Sequence, residues 1–184
     1  ETSFTRDNKN DLSTQVTQCK DAGCDFVFLP FYAVEAAQVL TYANKIGYEP
    51  TFFGCDGMDG ILTTEGFDTA LAEGLLLMTP FNPDAPETQD FVNKYKAAMN
   101  GVVPNQFAAD GYDCIYAIYN AVQQIDGALE MDQAALCDAL IAVFTSADFS
   151  VNGLTGAGMT WQANGEVAKE ALVVAVKDGA YAAQ

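Results

Sequence analysis

Between Asp11 and Ala22 the apolar positions fall at Leu12, Val16 and Cys19, the spacing of one helical face, and Gly23 supplies a stop. Phe26-Val27-Phe28-Leu29 is then a continuous apolar run closed by Pro30, the pattern of a strand buried in a parallel sheet. Val34, Ala37, Leu40 and Ala43 predict a second helix from about Ala33 to Ile46, ended by Gly47. Thr51-Phe52-Phe53 predicts the next strand, which opens into the loop Gly54-Cys55-Asp56-Gly57-Met58-Asp59-Gly60. A short helix near Thr64 to Leu71 leads to a third strand at Leu75–Met78. Helices and strands alternating at these intervals predict a right-handed parallel α/β unit.

The pattern changes at Thr79-Pro80-Phe81-Asn82-Pro83-Asp84-Ala85-Pro86, which reads as a connection leaving the sheet. Helices are predicted at about Pro86–Asn100, Gln106–Gln124 and Met131–Phe144, with no strand-like segment between them. Three amphipathic helices need a sheet or a bundle to cover their apolar faces. A self-contained bundle is one solution; a second lobe whose sheet lies outside this sequence is the other. Strand-like segments return at Met159-Thr160-Trp161 and Ala171–Val176, with turns at Ala163–Glu166 and Lys177–Ala180.

Composition narrows the function more than the fold. Half of the 184 residues are apolar and 18% are charged, which is globular and excludes intrinsic disorder. Eight Lys and Arg against 25 Asp and Glu give a net charge of −17, so nucleic acid and anionic membrane are not expected partners. The absence of His removes Ser-His-Asp and Cys-His triads, His zinc sites and His acid–base catalysis, so an enzyme is not expected. No stretch approaches the roughly 18 apolar residues of a membrane-spanning helix. The start, Glu1–Arg6, has neither the basic head nor the apolar run of a signal peptide. The five cysteines (Cys19, Cys24, Cys55, Cys114, Cys137) are odd in number and form no CxxC pair, and are expected to be small buried thiols.

Ligands of open parallel sheets sit beyond the carboxyl ends of the strands. Two loops leave strands there: Pro30-Phe31-Tyr32-Ala33 and Gly54–Asp59. They offer aromatic rings, carboxylates and glycine-rich backbone without a Lys or Arg, a mixture suited to a small ligand with an ammonium group and apolar surface. Turn capping is the competing reading of Asp56 and Asp59, and an edge-of-core ring that of Tyr32. The Asp56 loop is not a calcium loop, because its twelfth position is Phe67 rather than Glu. Phosphate-loop spacings are missing, and Cys55 has no basic neighbour to activate it. Neither metal nor cofactor is expected.

Several stretches together resemble the type I periplasmic solute-binding proteins of ABC transporters, specifically the branched-chain amino acid (Leu/Ile/Val) group. They are Asp25–Tyr32, Ala43-Asn44-Lys45-Ile46-Gly47, Phe53–Asp59, Ala72-Glu73-Gly74, Asp90–Lys96, Phe107–Asp113, Gly153-Leu154-Thr155-Gly156 and Asn164-Gly165-Glu166. The resemblance implies two α/β lobes closing on a ligand, with this chain as the carboxyl-terminal half. Residues 1–79 and 169–184 would then belong to the second lobe, and 80–168 would be a helical return into an incomplete first lobe. It implies an extracytoplasmic protein that captures an amino acid and delivers it to a membrane permease; a ligand-sensing receptor ectodomain is the alternative. Anchor and signal peptide are not in this sequence. Tyr32 corresponds to a cleft aromatic, Asp56 to the acidic residue that binds the ligand's α-ammonium, and Phe107 to an aromatic on the first-lobe side. Met58 stands where many relatives carry Trp. Ile115, Ile118, Val122, Leu136, Leu140 and Ile141 lack an evident cover, so self-association of the chain or rearranged packing is expected.

Overall fold

The computed structural model describes residues 1–5 and 7–183. Helix α1 (Ser13–Asp21) turns Val16 inward, with Leu12 just ahead of it, and packs against α2 (Ala33–Lys45). It ends where Gly23 adopts φ 68°, with Cys24 N donating to Cys19 O at 3.1 Å and Gly23 N to Lys20 O at 2.9 Å. That pair of bonds satisfies carbonyls that the last helical turn otherwise leaves free. In α2, Ala36, Ala37, Val39, Leu40 and Ala43 are buried, the i, i+3, i+4 stripe predicted from the sequence.

Strands β1 (Phe26–Leu29), β2 (Thr51–Gly54) and β3 (Leu76–Met78) run parallel as neighbours. The predicted helix at 64–71 is replaced by two 3-10 turns, Ile61–Thr63 and Thr69–Ala72. Gly66 at φ 75° and the Asp68 side chain, accepting from Ala70 N at 3.1 Å, favour turns over a continuous helix there.

After β3 the chain leaves the sheet through a 3-10 turn at Pro86–Thr88 and forms α3 (Gln89–Ala98), α4 (Gln106–Val122) and α5 (Gln133–Phe144). Asn105 and Asp132 cap the last two, accepting from Ala108 N and Ala135 N. A small hairpin, β4 (Thr160–Trp161) with β5 (Val167–Ala168), stands apart from the main sheet. β6 (Val173–Lys177) and β7 (Ala180–Ala183) then join that sheet, giving the order β1-β2-β3-β6-β7. Both are antiparallel to their neighbours. Asp178 (φ 52°) and Gly179 (φ 77°) form the two-residue turn whose twist matches a hairpin.

The register explains which sheet face is dry. Leu29, Gly54, Leu77 and Val174 make one row across the sheet, and all are buried. The opposite row, Phe28, Phe53, Leu76 and Ala175, is not. Phe26 and Phe28 are 54% and 52% exposed, which corrects the reading of β1 as a strand buried on both faces. It is an edge strand, and no helix among the described residues covers those rings.

The helical stretch after β3 is equally open. Ala109, Asp113, Ala117 and Ala121 form the buried stripe of α4, while Ile115, Ile118 and Tyr119 face outward, and no residue of α5 is fully buried. Its own core is two small clusters, Ala117, Ala121, Phe149, Val151 and Met159 in one and Phe81, Val92 and Ala109 in the other. Asp113 fastens it: the carboxylate accepts Leu154 N, Thr155 N and Thr155 Oγ1, each at 2.8 Å. The cysteines are not buried as expected: Cys24, Cys114 and Cys137 are exposed, Cys19 and Cys55 half-buried.

Candidate functional site

Because β1, β2 and β3 are parallel, the segments leaving them emerge at one end of the sheet. Beyond β1, Tyr32 caps α2 in extended conformation (φ −84°, ψ 164°), its ring 69% exposed. In the first turn of α2 the buried Glu35 pairs with Lys9 at 2.5 Å, and that hydrogen bond holds its carboxyl below the ordinary range.

Beyond β2, Asp56–Met58 form a 3-10 turn that leaves the Asp56 carboxylate in solvent and drives Met58 wholly into the core. Met58 packs so closely over Gly54 that a Cβ there would meet its sulfur at 2.5 Å. The Met58 side chain therefore belongs to the core rather than to the loop surface. Gly57 touches the Tyr32 loop: a Cβ on it would lie 2.9 Å from Phe31 O and 3.4 Å from Tyr32 Cδ1. The two loops singled out from sequence are in contact.

The start of α4 closes the third side. Gln106, 1% exposed, ties three segments together. Its Nε2 donates to Asp56 O at 2.6 Å, its Oε1 accepts from Thr79 Oγ1 at 3.1 Å, and its backbone N donates to the Asp59 carboxylate at 2.5 Å. Thr79 is the first residue beyond β3, so Gln106 binds the loop after β2, the exit of β3 and the head of α4. Phe107, its neighbour, stands half-exposed at that same edge. The structure thus gathers the Tyr32 and Asp56 loops and the Phe107 end of α4 in one region.

Asp59 does more than shape a turn. It is buried, accepting Gln106 N and, at 2.8 Å, Gly60 N. Burial raises its carboxyl above 3.8, against the pull of the Gln106 amide, the Tyr181 hydroxyl and the Gly60 amide, while the Asp110 charge adds to the rise. Burial and the Asp59 charge in turn push Tyr181 far up, so that phenol stays protonated. Gln106, and its grip on Asp59 and Asp56, escaped sequence reasoning because those partners lie 47 and 50 residues away. The Asn105 cap is the one local sign that a helix head is anchored there.

Chemically the region offers one exposed carboxylate, aromatic surface and no Lys or Arg in either loop. Among the described residues no group of three or more His, Cys, Asp or Glu is placed to hold a metal ion. The cavity of about 450 Å³ beside β1 and α1 is lined by Phe4, Val16, Phe26 and Phe28, not by Tyr32, Asp56 or Phe107. The site is an open surface. No helix among the described residues is long and apolar enough to cross a membrane.

A family model described as "Periplasmic binding protein" matches residues 1–180. Solved structures share the fold over almost the whole chain. A leucine binding protein from Thermotoga maritima is 24% identical, with 100% of this chain and 50% of that one covered at a TM-score of 0.78. The branched-chain amino acid transporter substrate binding protein of Streptococcus pneumoniae, solved with isoleucine, is 21% identical over 98% of this chain and 49% of its own, at 0.77. An extracellular ligand-binding receptor from Rhodopseudomonas palustris is 20% identical over 98% and 53%, at 0.75. The chain spans about half the length of these relatives. No curated protein matches it.

Proposed function

The chain belongs to the periplasmic binding protein family, and on that premise we propose that it is half of an extracytoplasmic solute-binding component of an ABC transporter. The full protein captures an amino acid, branched-chain or similar, in a cleft between two lobes and presents it to a membrane permease. In this reading residues 1–79 and 169–184 build the second lobe, and residues 80–168 return to the first.

The observation that carries the reading is the grouping of exposed Tyr32 and Asp56 with the Phe107 end of α4, at the carboxyl end of the parallel strands. Asp56 takes the ligand's ammonium, Tyr32 supplies apolar contact from the second lobe, and Phe107 supplies it from the first-lobe side. The ligand's carboxylate is left to residues of the other half, since these loops carry no cation. Two uncovered surfaces support the missing half independently. The outward rings of Phe26 and Phe28, and the outer face of α4 with Ile115, Ile118 and Tyr119, are apolar areas that a folded protein normally covers.

The receptor-like relative favours a second reading, in which ligand closure signals to a partner instead of feeding a permease. Mass spectrometry of ligand released from the natively purified two-lobed protein tests the shared core of both. Release of an amino acid is expected, and chemical conversion of that amino acid by the protein would overturn the binding reading.

A further inference from the structure

Cys19 and Cys24 occupy the two positions that the end of α1 brings together. The bonds Cys24 N to Cys19 O (3.1 Å) and Gly23 N to Lys20 O (2.9 Å), with Gly23 left-handed, define a six-residue helix-ending ring. In such a ring the side chains of the first and last residues frequently come into contact. Cys19 is half-buried and Cys24 exposed, both thiols are free, and both line the cavity beside β1. The electrostatics agree with close approach: burial raises the Cys19 thiol first, and the charge of Cys24 raises it further. The Tyr48 hydroxyl donates to Cys24 O at 2.7 Å, fixing the corner from the outside.

We propose that Cys19 and Cys24 are a redox pair that closes to a disulfide across the end of α1 when the protein meets a disulfide donor. The exposed Cys24 thiolate attacks one sulfur of the donor and releases the other donor sulfur as a thiolate. The Cys19 thiolate then attacks the Cys24 sulfur of the mixed disulfide and displaces the remaining donor sulfur. The pair loses two electrons and two protons, and the donor disulfide is reduced to two thiols. A disulfide spans Cα atoms roughly 4.4–6.8 Å apart, and the 3.1 Å bond from Cys24 N to Cys19 O draws the two residues toward that range. It ties the end of α1 to the entry of β1. Cys55 follows β2 and Cys114 and Cys137 lie in α4 and α5, and this step does not use them.

The probe is oxidised glutathione in excess, followed by alkylation of remaining thiols and trypsin digestion. Cleavage after Lys9, Lys20 and Lys45 puts the two cysteines on different peptides, Asn10–Lys20 and Asp21–Lys45, so a disulfide appears as a linked pair. That linked pair is expected as the main product, with a Tm about 2–6 °C higher that returns to its starting value on reduction. Cys19→Ser should trap glutathione on Cys24, because nothing displaces it. Wild-type protein in which both cysteines stay alkylatable, retain glutathione, or pair with other cysteines would overturn the proposal.

Discussion

Replacing Gly57 by Ala inserts a methyl carbon between the loop after β2 and the loop after β1. The new Cβ would lie 2.9 Å from the Phe31 carbonyl oxygen and 3.4 Å from Tyr32 Cδ1. The first contact is about half an ångström too short, and the obstacle is main chain rather than a movable side chain. Neither side yields freely. Phe31 N is bonded to Leu29 O at 2.8 Å, while Gln106 holds Asp56 O and Asp59 holds Gln106 from behind. Overpacking of this kind costs about 1–3 kcal/mol, and the loss of glycine's unfolded-state freedom returns about 0.4–1 kcal/mol. A net cost of about 1–2 kcal/mol lowers Tm by roughly 2–8 °C. The same displacement moves Tyr32 relative to Asp56, so amino acid affinity in the two-lobed protein should fall about 5- to 30-fold. Gly111→Ala is the control. It lies within α4 with nothing inside 4 Å of its Cβ position, so it should stabilise by about 0.5–1 kcal/mol and leave affinity unchanged. Thermal melts and calorimetric titration read both effects. A Gly57→Ala protein that behaves like Gly111→Ala refutes the reasoning that the two loops are held at contact distance.

Burial lifts the Asp59 carboxyl above 3.8, so the folded state keeps a proton the unfolded state releases, and stability declines as pH climbs from about 3.8 through the folded value. Asp59→Asn lacks that titration, so the stability of wild type relative to the variant should shrink as pH rises in urea melts; a constant or growing difference contradicts it. Gly153→Ala places a methyl inside the Asp113 carboxylate and breaks its grip on Leu154 and Thr155. That should cost about 2–4 kcal/mol in denaturant titration, and a loss under about 0.5 kcal/mol would show that Asp113 is not a clasp. With Ile115, Ile118, Tyr119 and Ile141 exposed, this 184-residue chain alone should associate with rising concentration in sedimentation velocity. A clean monomer with a sharp two-state melt would count against it.

The helices and parallel strands were legible because their apolar spacing is local, as Val16 in α1 and Leu40 in α2 illustrate. Apart from the helix expected at 64–71, undone locally by Gly66 and Asp68, what failed was set by distant partners. Phe26 and Phe28 read as doubly buried, since a continuous apolar run signals two covered faces, yet the cover is not among these residues. The antiparallel direction of β6 and β7 leaves no trace in hydropathy and follows from how the chain returns beside β3. The loops carrying Tyr32 and Asp56 could be chosen because strand ends are predictable. Gln106 could not, because a glutamine in a first helical turn looks like a surface residue until its three bonds to the loop after β2 and the exit of β3 are seen.

The central claim is that the Asp56 carboxylate receives a ligand's ammonium group. Calorimetric titration of the two-lobed protein with leucine, isoleucine and valine, wild type against Asp56→Asn, measures it directly. Asp56 is exposed here, where a charge pair is worth little, and lobe closure must strip its water for the pair to matter. Removing one partner of a desolvated pair costs about 2–5 kcal/mol. Asp56→Asn should therefore weaken binding by roughly thirty- to several-thousand-fold, and Tyr32→Ala, which strands no charge, by less. Equal affinities for wild type and Asp56→Asn would remove Asp56 from the site and leave it a turn residue.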